Sequence, residues 1–428
     1  MAVKSNSTDG LLSLIEREPE TLTIDPSDLS RLESIDELTV TKHTQTQATV
    51  ESKRSIGVVG LPSGKSLEIR PKFESNLLQL LSYADWIDDD MATRGPAGYK
   101  PGESFVDLLA SLFIQEMKHV LKRGLHREYQ DKQEVEQYVR GRLDLQRQIR
   151  SQGPQATKFE CEYDDLTTDT VLNRLLLQAA VTLRPLLENK QLQSELNRVT
   201  SLFRQQVTLT EVTAMERANL SLTRLNDYYC DALQLAELIL NSSFIDDLSA
   251  GQQQFRSLLK NMENLFETVV YEGVEACLRS TTYSVTAVDQ GHLLTTGDQD
   301  VQKLEPDFTV TNQTGTVVLV GDAKWKSIEN RPSREDLYQI AAYQAKFGVP
   351  GMLVYPEQIR QSEKNEQNTS QETYLYTRGP QGPLETVTIP TMDDSYQAFQ
   401  SAVEANLREV LARFLSGLNE EQNKDLVA

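Results

Sequence analysis

The sequence predicts a multidomain chain of the α/β and α+β classes, with a β-rich N-terminal part, a helical middle and a C-terminal mixed-sheet domain. Three observations carry this. Residues 21–73 alternate polar and apolar positions and are rich in Thr and Val, the pattern of half-buried strands. From about 104 to 243, apolar residues recur mainly at helical spacing. Beyond 253 the elements follow the order α-β-β-β-α-β, that of a small domain with helices on both sides of a sheet. A length of 428 residues exceeds one ordinary core. The domains are expected at 1–95, at 104–250 and at 253–428.

The first 20 residues are polar and read as frayed or loosely attached. Two alternating segments follow, "TLTI" and "ELTVTKHTQTQATV". Then comes "IGVVGLPSGKSLEIRPKF". A phosphate-binding loop needs G-x-x-x-x-G-K-[ST], and the position it requires for its first glycine, counted back from Gly64, is Val59. No helix follows, since "SLEIRPKF" alternates like a strand. The segment is a hairpin turning at Pro62-Ser63-Gly64. "NLLQLLSYADWIDDD" reads as a short helix ending in an acidic run, and "TRGPAGYKPGES" as a linker.

Ser104 caps a long helix, "SFVDLLASLFIQEMKHVLKRGL", with Phe105, Leu108, Leu109, Leu112, Phe113, Met117, Val120 and Leu121 on its apolar stripe. Its basic end (Lys118, Lys122, Arg123, His126, Arg127) fits a helix dipole partner as well as an anion contact. "QYVRGRLDLQRQIR" gathers Arg140, Arg142, Arg147 and Arg150. This patch is either a contact for phosphate or an acidic partner, or an internal salt-bridge hub. "YDDLTTDTVLNRLLLQAAVTL" reads as an acidic turn and a helix, with further helices to about Ser243. Residues 244–252 are a hinge.

Composition narrows the chemistry. The net charge of −20 and a pI near 4.8 oppose a free-standing DNA-binding module. They are compatible with a partner that supplies most of the grip on DNA. "MAVKSNSTDG" lacks the apolar core of a signal peptide, and no run approaches the roughly 18 apolar residues of a membrane span. A cytoplasmic protein is expected. Three dispersed cysteines, Cys161, Cys230 and Cys277, and four scattered histidines give neither a disulfide framework nor a zinc site. A metal here would sit on carboxylates, which selects a hard ion such as Mg²⁺.

The chemistry concentrates in "LEPDFTVTNQTGTVVLVGDAKWKS". Its apolar strand ends in Gly-Asp-Ala-Lys. Asp307 and Asp322 are separated by fourteen residues, and a hairpin turning at "TNQTG" sets them side by side. Adjacent carboxylates repel unless a cation neutralises them. Lys324, two positions after Asp322, points to the same face. An acidic pair holding Mg²⁺ with a lysine beside a developing anion suits in-line hydrolysis of a phosphodiester. Glu267 shares a helical stripe with Val270 and Val274 and is either a third acid of the site or the edge of an amphipathic helix. Gln339 and Tyr343 lie four apart on one helix face, so both can lean over the site or simply pack at the core edge.

These residues resemble the PD-(D/E)xK nuclease superfamily: Pro306-Asp307, then Asp322-Ala323-Lys324, with Glu267 as the preceding helical acid. Gln339-x-x-x-Tyr343 is similar to its RecB-like branch. "NLFETVVYEGV", "RGRLDL", "YDDLTTDTVLNRLLLQAA" and "GKSLEIRPKF" resemble McrC, the nuclease subunit of McrBC modified-cytosine restriction systems, over most of residues 50–360. The resemblance implies a C-terminal nuclease and an N-terminal region docking on a ring-forming AAA+ GTPase that recognises modified DNA. It implies metal ligands Asp307, Asp322, the Ala323 carbonyl and Glu267, with Lys324 acting on water and Gln339 and Tyr343 positioning the scissile strand. For contact with the partner or DNA, Arg140 and Arg142 are the best candidates. Two other readings stand beside it: a non-catalytic adaptor that stimulates the partner's GTPase, and a RecB-like repair exonuclease.

Overall fold

A computed structural model describes residues 11–94, 104–151, 157–247, 254–286, 292–296, 299–303, 305–328, 331–357, 372–374 and 382–416. The chain gathers into two compact units. One joins Met1–Leu108, Asp247–Phe255 and Leu259–Ala428; the other comprises Leu109–Asp246 and Arg256–Leu258. This differs from the three-part division read from the sequence, because the N-terminal region and the C-terminal domain share one unit. Most of the expected linker, 95–103, and the end of the expected hinge lie outside the described residues, while Ser243–Asp247 is a strand.

The centre of the first unit is a six-stranded sheet. Its strands run in the order Ser284–Thr286, Phe308–Thr311, Val317–Ala323, Gly351–Pro356, Leu384–Ile389 and Glu372–Tyr374. The middle pairs, Val317–Ala323 with Gly351–Pro356 and the latter with Leu384–Ile389, are parallel. The outer pairs are antiparallel. The mixed sheet expected from the sequence is therefore present. A separate hairpin, His292–Thr296 with Gln299–Lys303, is inserted before the Phe308 strand.

Side chains alternate along the Val317–Ala323 strand and sort its two faces. Val320 packs with Ile340 and Tyr343 of the helix Arg334–Phe347. Trp325, just beyond the strand, meets Phe266 of the helix Met262–Leu278, ring centroids 5.3 Å apart. That helix packs on the closing helix Tyr396–Ser416 through Gly273, where a Cβ would lie 2.6 Å from a Leu407 methyl.

The N-terminal elements belong to this unit for specific reasons. Asn76 caps the helix Leu77–Tyr83 and donates its backbone N–H to the Thr391 carbonyl. Gln79 exchanges two hydrogen bonds with the Asp393 backbone. Tyr83 stacks edge-on against Phe399. The hairpin at Pro62-Ser63-Gly64 is present: Ser55–Gly60 pairs antiparallel with Ser66–Arg70, and Leu11–Ile15 adds to it in parallel. The all-β reading of 21–73 needs one correction. Pro26–Glu33 is a helix with Pro at its first turn, resting on the three-stranded sheet of Glu20–Thr23, Gln47–Ser52 and Leu38–Lys42.

The second unit is not purely helical as expected. Glu128–Glu136, Phe159–Thr167 and Arg142–Leu143 form an antiparallel sheet. Most side chains of Glu128–Glu136 are exposed, so the strand carries no apolar alternation to reveal it. The segment expected to be an acidic turn before Val171–Leu183 is the end of the Phe159–Thr167 strand. Buried Asn173 there donates to the His126 and Thr168 carbonyls and accepts from the Tyr229 hydroxyl. The three cysteines are free. Among the described residues no helix is long and apolar enough to cross a membrane.

Candidate active site

The site is assembled at the ends of the two strands the sequence singled out. Asn312 closes their hairpin by accepting from the backbone of Thr314 and Thr316. The register pairs Phe308 with Gly321, which sets the preceding Asp307 beside Asp322. Asp307 Oδ2 accepts the Ala323 backbone N–H at 2.6 Å. Asp322 is fully buried. Its Oδ2 is ion-paired to Lys324 Nζ. Its Oδ1 is buried without a hydrogen-bond donor among the described residues.

Lys324 is held from three sides. Its backbone N–H donates to the Val354 carbonyl at 2.8 Å in the parallel ladder. Its ammonium meets Asp322 and donates to Gln339 Oε1 at 3.0 Å. Gln339 Nε2 in turn donates to the Tyr343 hydroxyl at 2.9 Å, and that hydroxyl donates to the Glu305 carbonyl at 3.0 Å. The helix pair expected to lean over the site thus does so by orienting the lysine. Lys326 fixes the same strand end to the helix N-terminus, donating to Asp336 at 2.7 Å and to the cap Ser333 at 3.1 Å.

The electrostatics follow from burial. Desolvation, then the charges of Asp322 and Glu267, push the Asp307 carboxyl well above the usual carboxylate range. Desolvation raises Asp322 too, although Lys324 works against it. Glu267 is raised by desolvation, Glu263 and Asp322. Burial opposes the Lys324 ammonium, but Asp322 and Asp307 outweigh it and hold its pKa above the ordinary value. Glu267 therefore feels the pair electrostatically. Among the described residues, however, no three His, Cys, Asp or Glu side chains gather as a metal-binding group. The structure does not bring Glu267 into one cluster with Asp307 and Asp322.

The donor set nonetheless fits a hard cation. Two adjacent carboxylates, one with a buried oxygen lacking a donor, suit Mg²⁺, which commonly binds one or two carboxylates and keeps several waters. Arg140 and Arg142 are not part of this site; they lie in the second unit. Arg140 pairs with Asp165 at 2.7 Å and stacks over the Tyr163 ring at 4.0 Å, as an internal hub would. Arg142 stands opposite Glu162 in the sheet.

Sequence reading missed the residues beneath the site. Trp325 Nε1 donates to Glu16 Oε2 at 3.0 Å, and Lys72 donates to the Trp325 carbonyl. The only local signal was the basic residue after Pro71 in "EIRPKF".

Tyr343→Phe removes one link of the chain that orients Lys324. A net loss of about 1 kcal/mol in stability is expected. Gln339→Ala, which removes both the acceptor for Lys324 and the donor to Tyr343, is expected to cost more. Thermal melts of the two variants check the order.

Fold and site define a multidomain α/β protein with a buried carboxylate–lysine centre at the ends of a mixed sheet. The chain belongs to the family described as McrBC 5-methylcytosine restriction system component, whose model matches residues 50–356. It is 24% identical over 277 residues to the Type IV methyl-directed restriction enzyme EcoKMcrBC of Escherichia coli (strain K12), covering 60% of this chain and 78% of that one. Its fold is similar to a chain in the half-complex of Thermococcus gammatolerans McrB AAA+ hexamers with bound McrC. The TM-score is 0.65 at 17% identity, over 92% of this chain and 99% of that one.

Proposed function

We propose that this chain is the nuclease subunit of its restriction system: a Mg²⁺-dependent, PD-(D/E)xK-type DNA endonuclease. It acts with an AAA+ GTPase partner that recognises modified DNA and translocates. The observation that carries this reading is the Asp307–Asp322 pair, with Asp322 fully buried and ion-paired to Lys324. Adjacent carboxylates are unfavourable unless cations offset them, and Lys324 is one positive charge facing two carboxyls that both remain raised. The chain of similar fold comes from an assembly of McrB AAA+ hexamers with bound McrC, which supports an AAA+ partner.

Asp307 and Asp322 would hold the metal, with the Ala323 carbonyl. When bound, Mg²⁺ supplies Lewis-acid stabilisation of the phosphoryl oxygens and acidifies a bound water. Lys324 is the residue whose chemistry the geometry specifies best. Its ion pair with Asp322 and its bond to Gln339 aim its ammonium at the site, where it serves as a positive charge beside the developing anion. Gln339 and Tyr343 fix the direction of that charge. Glu267 acts on the pair only as a nearby negative charge that perturbs Asp307.

The test uses the chain assembled with its AAA+ partner, GTP, Mg²⁺ and cytosine-methylated DNA. Cleavage is expected with the wild type and is expected to fall to background with Asp307→Ala, while partner binding and GTP hydrolysis continue. Full cleavage by the Asp307→Ala complex would refute the assignment and leave a non-catalytic adaptor.

A further inference from the structure

We infer that Glu16 and Lys72 form a positioning pair that grips Trp325 and thereby sets the direction of Lys324. The inference rests on the reading of Asp307, Asp322 and Lys324 as a hydrolytic centre.

Trp325 follows Lys324 in the chain and is 2% exposed. Each end of it is held by a residue from the N-terminal sheet. Its indole N–H donates to Glu16 Oε2 at 3.0 Å, and its backbone carbonyl accepts from Lys72 Nζ. The two holders are neighbours by topology. Leu11–Ile15 and Ser66–Arg70 pair in parallel with Ile15 opposite Arg70. Glu16 continues the first strand, donating its N–H to the Arg70 carbonyl, and Lys72 lies two residues past the second. Their charges stand 3.8 Å apart with Glu16 fully buried. Phe73 closes the cage edge-on at 4.9 Å from the indole, and Phe266 flanks it at 5.3 Å.

A purely apolar cage would bury Trp325 as well. The charged pair adds direction: it fixes the indole by its one polar atom and the backbone by its carbonyl. That carbonyl belongs to the residue bonded directly to Lys324. Fixing it limits rotation of the backbone on the far side of Lys324, one residue past its N–H bond to the Val354 carbonyl. The lysine side chain is secured by Asp322 and Gln339, its own N–H by the Val354 carbonyl, and the next residue, Trp325, by Glu16 and Lys72. Both holders act through Trp325, so neither is a catalytic residue.

Lys72→Met alone leaves Glu16 buried without its cation, and loss of folding there would be uninformative. The decisive variant is Glu16→Gln/Lys72→Met. It is neutral and keeps an acceptor for the indole N–H, but it lacks the bond to the Trp325 carbonyl. Trp325 is one of two tryptophans, so a Trp86→Phe background isolates its emission. The double variant, assembled with the partner, is expected to melt near the wild type and to keep its Mg²⁺-induced rise in Tm. Its Trp325 emission is expected to shift. Its kcat is expected to fall roughly tenfold or more with KM little changed, since small misplacements of a reacting group are costly. A folded double variant with wild-type kcat, or with unchanged Trp325 emission, overturns the inference. Failure of the wild-type complex to cleave overturns the underlying reading instead, and it shows in the wild-type arm alone.

Discussion

Asp322→Asn is expected to abolish cleavage and, at the same time, to make the metal-free protein more stable. The loss of activity follows from removing the more deeply buried of the two proposed ligands and the direct partner of Lys324; about 10³-fold or more is expected. The gain in stability follows from the raised pKa values. Asp307, Asp322 and Glu267 all hold their protons more tightly in the folded chain than in the unfolded one. For such groups the unfolded state binds fewer protons than the native state between the two pKa values. Stability therefore falls as pH rises from the ordinary carboxylate range through the raised folded values. Removing one of three mutually repelling acids, with Lys324 still matched by the others, should yield on the order of 1 kcal/mol. In EDTA, the Tm advantage of Asp322→Asn over the wild type is expected to grow from about pH 5 to about pH 8. Saturating Mg²⁺ should erase it, since a ligand at about 100 times its Kd stabilises the wild type by about 2.7 kcal/mol. A variant that is less stable than the wild type throughout, with or without metal, would mean that Asp322 is held by a structural ion pair rather than reserved for a cation.

The parts of this centre that were legible in the sequence are those fixed by local geometry. The apolar run Val317–Val320 announces a buried strand, and Asn312 and Gly315 announce its turn. Together they determine that Asp307 and Asp322 become neighbours. The spacing of Asp322 and Lys324, and of Gln339 and Tyr343, assigns each pair to one face before any tertiary contact is known. What stayed hidden depends on long-range packing. Glu16 and Trp325 are 309 positions apart, and nothing about a glutamate ending a short strand says that it will be buried against an indole. The docking of Leu77–Tyr83 onto the Thr391 and Asp393 backbone is equally remote, which is why the boundary near 95 looked like the end of a domain. Glu128–Glu136 was lost for the opposite reason. Its stability comes from ladder pairing and cross-strand charge, such as Lys132 with Asp165, and these leave no hydrophobic period. Helix Pro26–Glu33 is short, and its Thr-rich flanks dominate any window that contains it.

Gly321→Ala is expected to be among the most destabilising single substitutions in the chain. Gly321 is not needed for backbone freedom, because it sits in the middle of a regular strand. It is needed because Phe308, its antiparallel partner, lays its ring flat across the position a side chain would take. A Cβ built there would lie 1.9 Å from Phe308 Cζ and 2.4 Å from both Cε atoms. Phe308 is itself fully buried, so the ring cannot swing into solvent to yield. Overpacking of this kind usually costs about 1–3 kcal/mol and at times more, and here the upper end is expected because ring and strand are both confined. The damage should also be functional. Phe308 and Gly321 are the residues next to Asp307 and Asp322, so any shift that relieves the clash separates the two carboxylates. Shrinking the ring supplies the control: Gly321→Ala/Phe308→Leu should recover much of the lost stability, because the methyl then occupies space the ring has vacated. Urea melts of the single and double variants measure the coupling, and Mg²⁺-induced stabilisation of the double variant reports whether the carboxylate pair has returned to register. If Gly321→Ala melts like the wild type and binds Mg²⁺ equally well, then Phe308 does not pack across the strand as described, and the hairpin is not what holds Asp307 against Asp322.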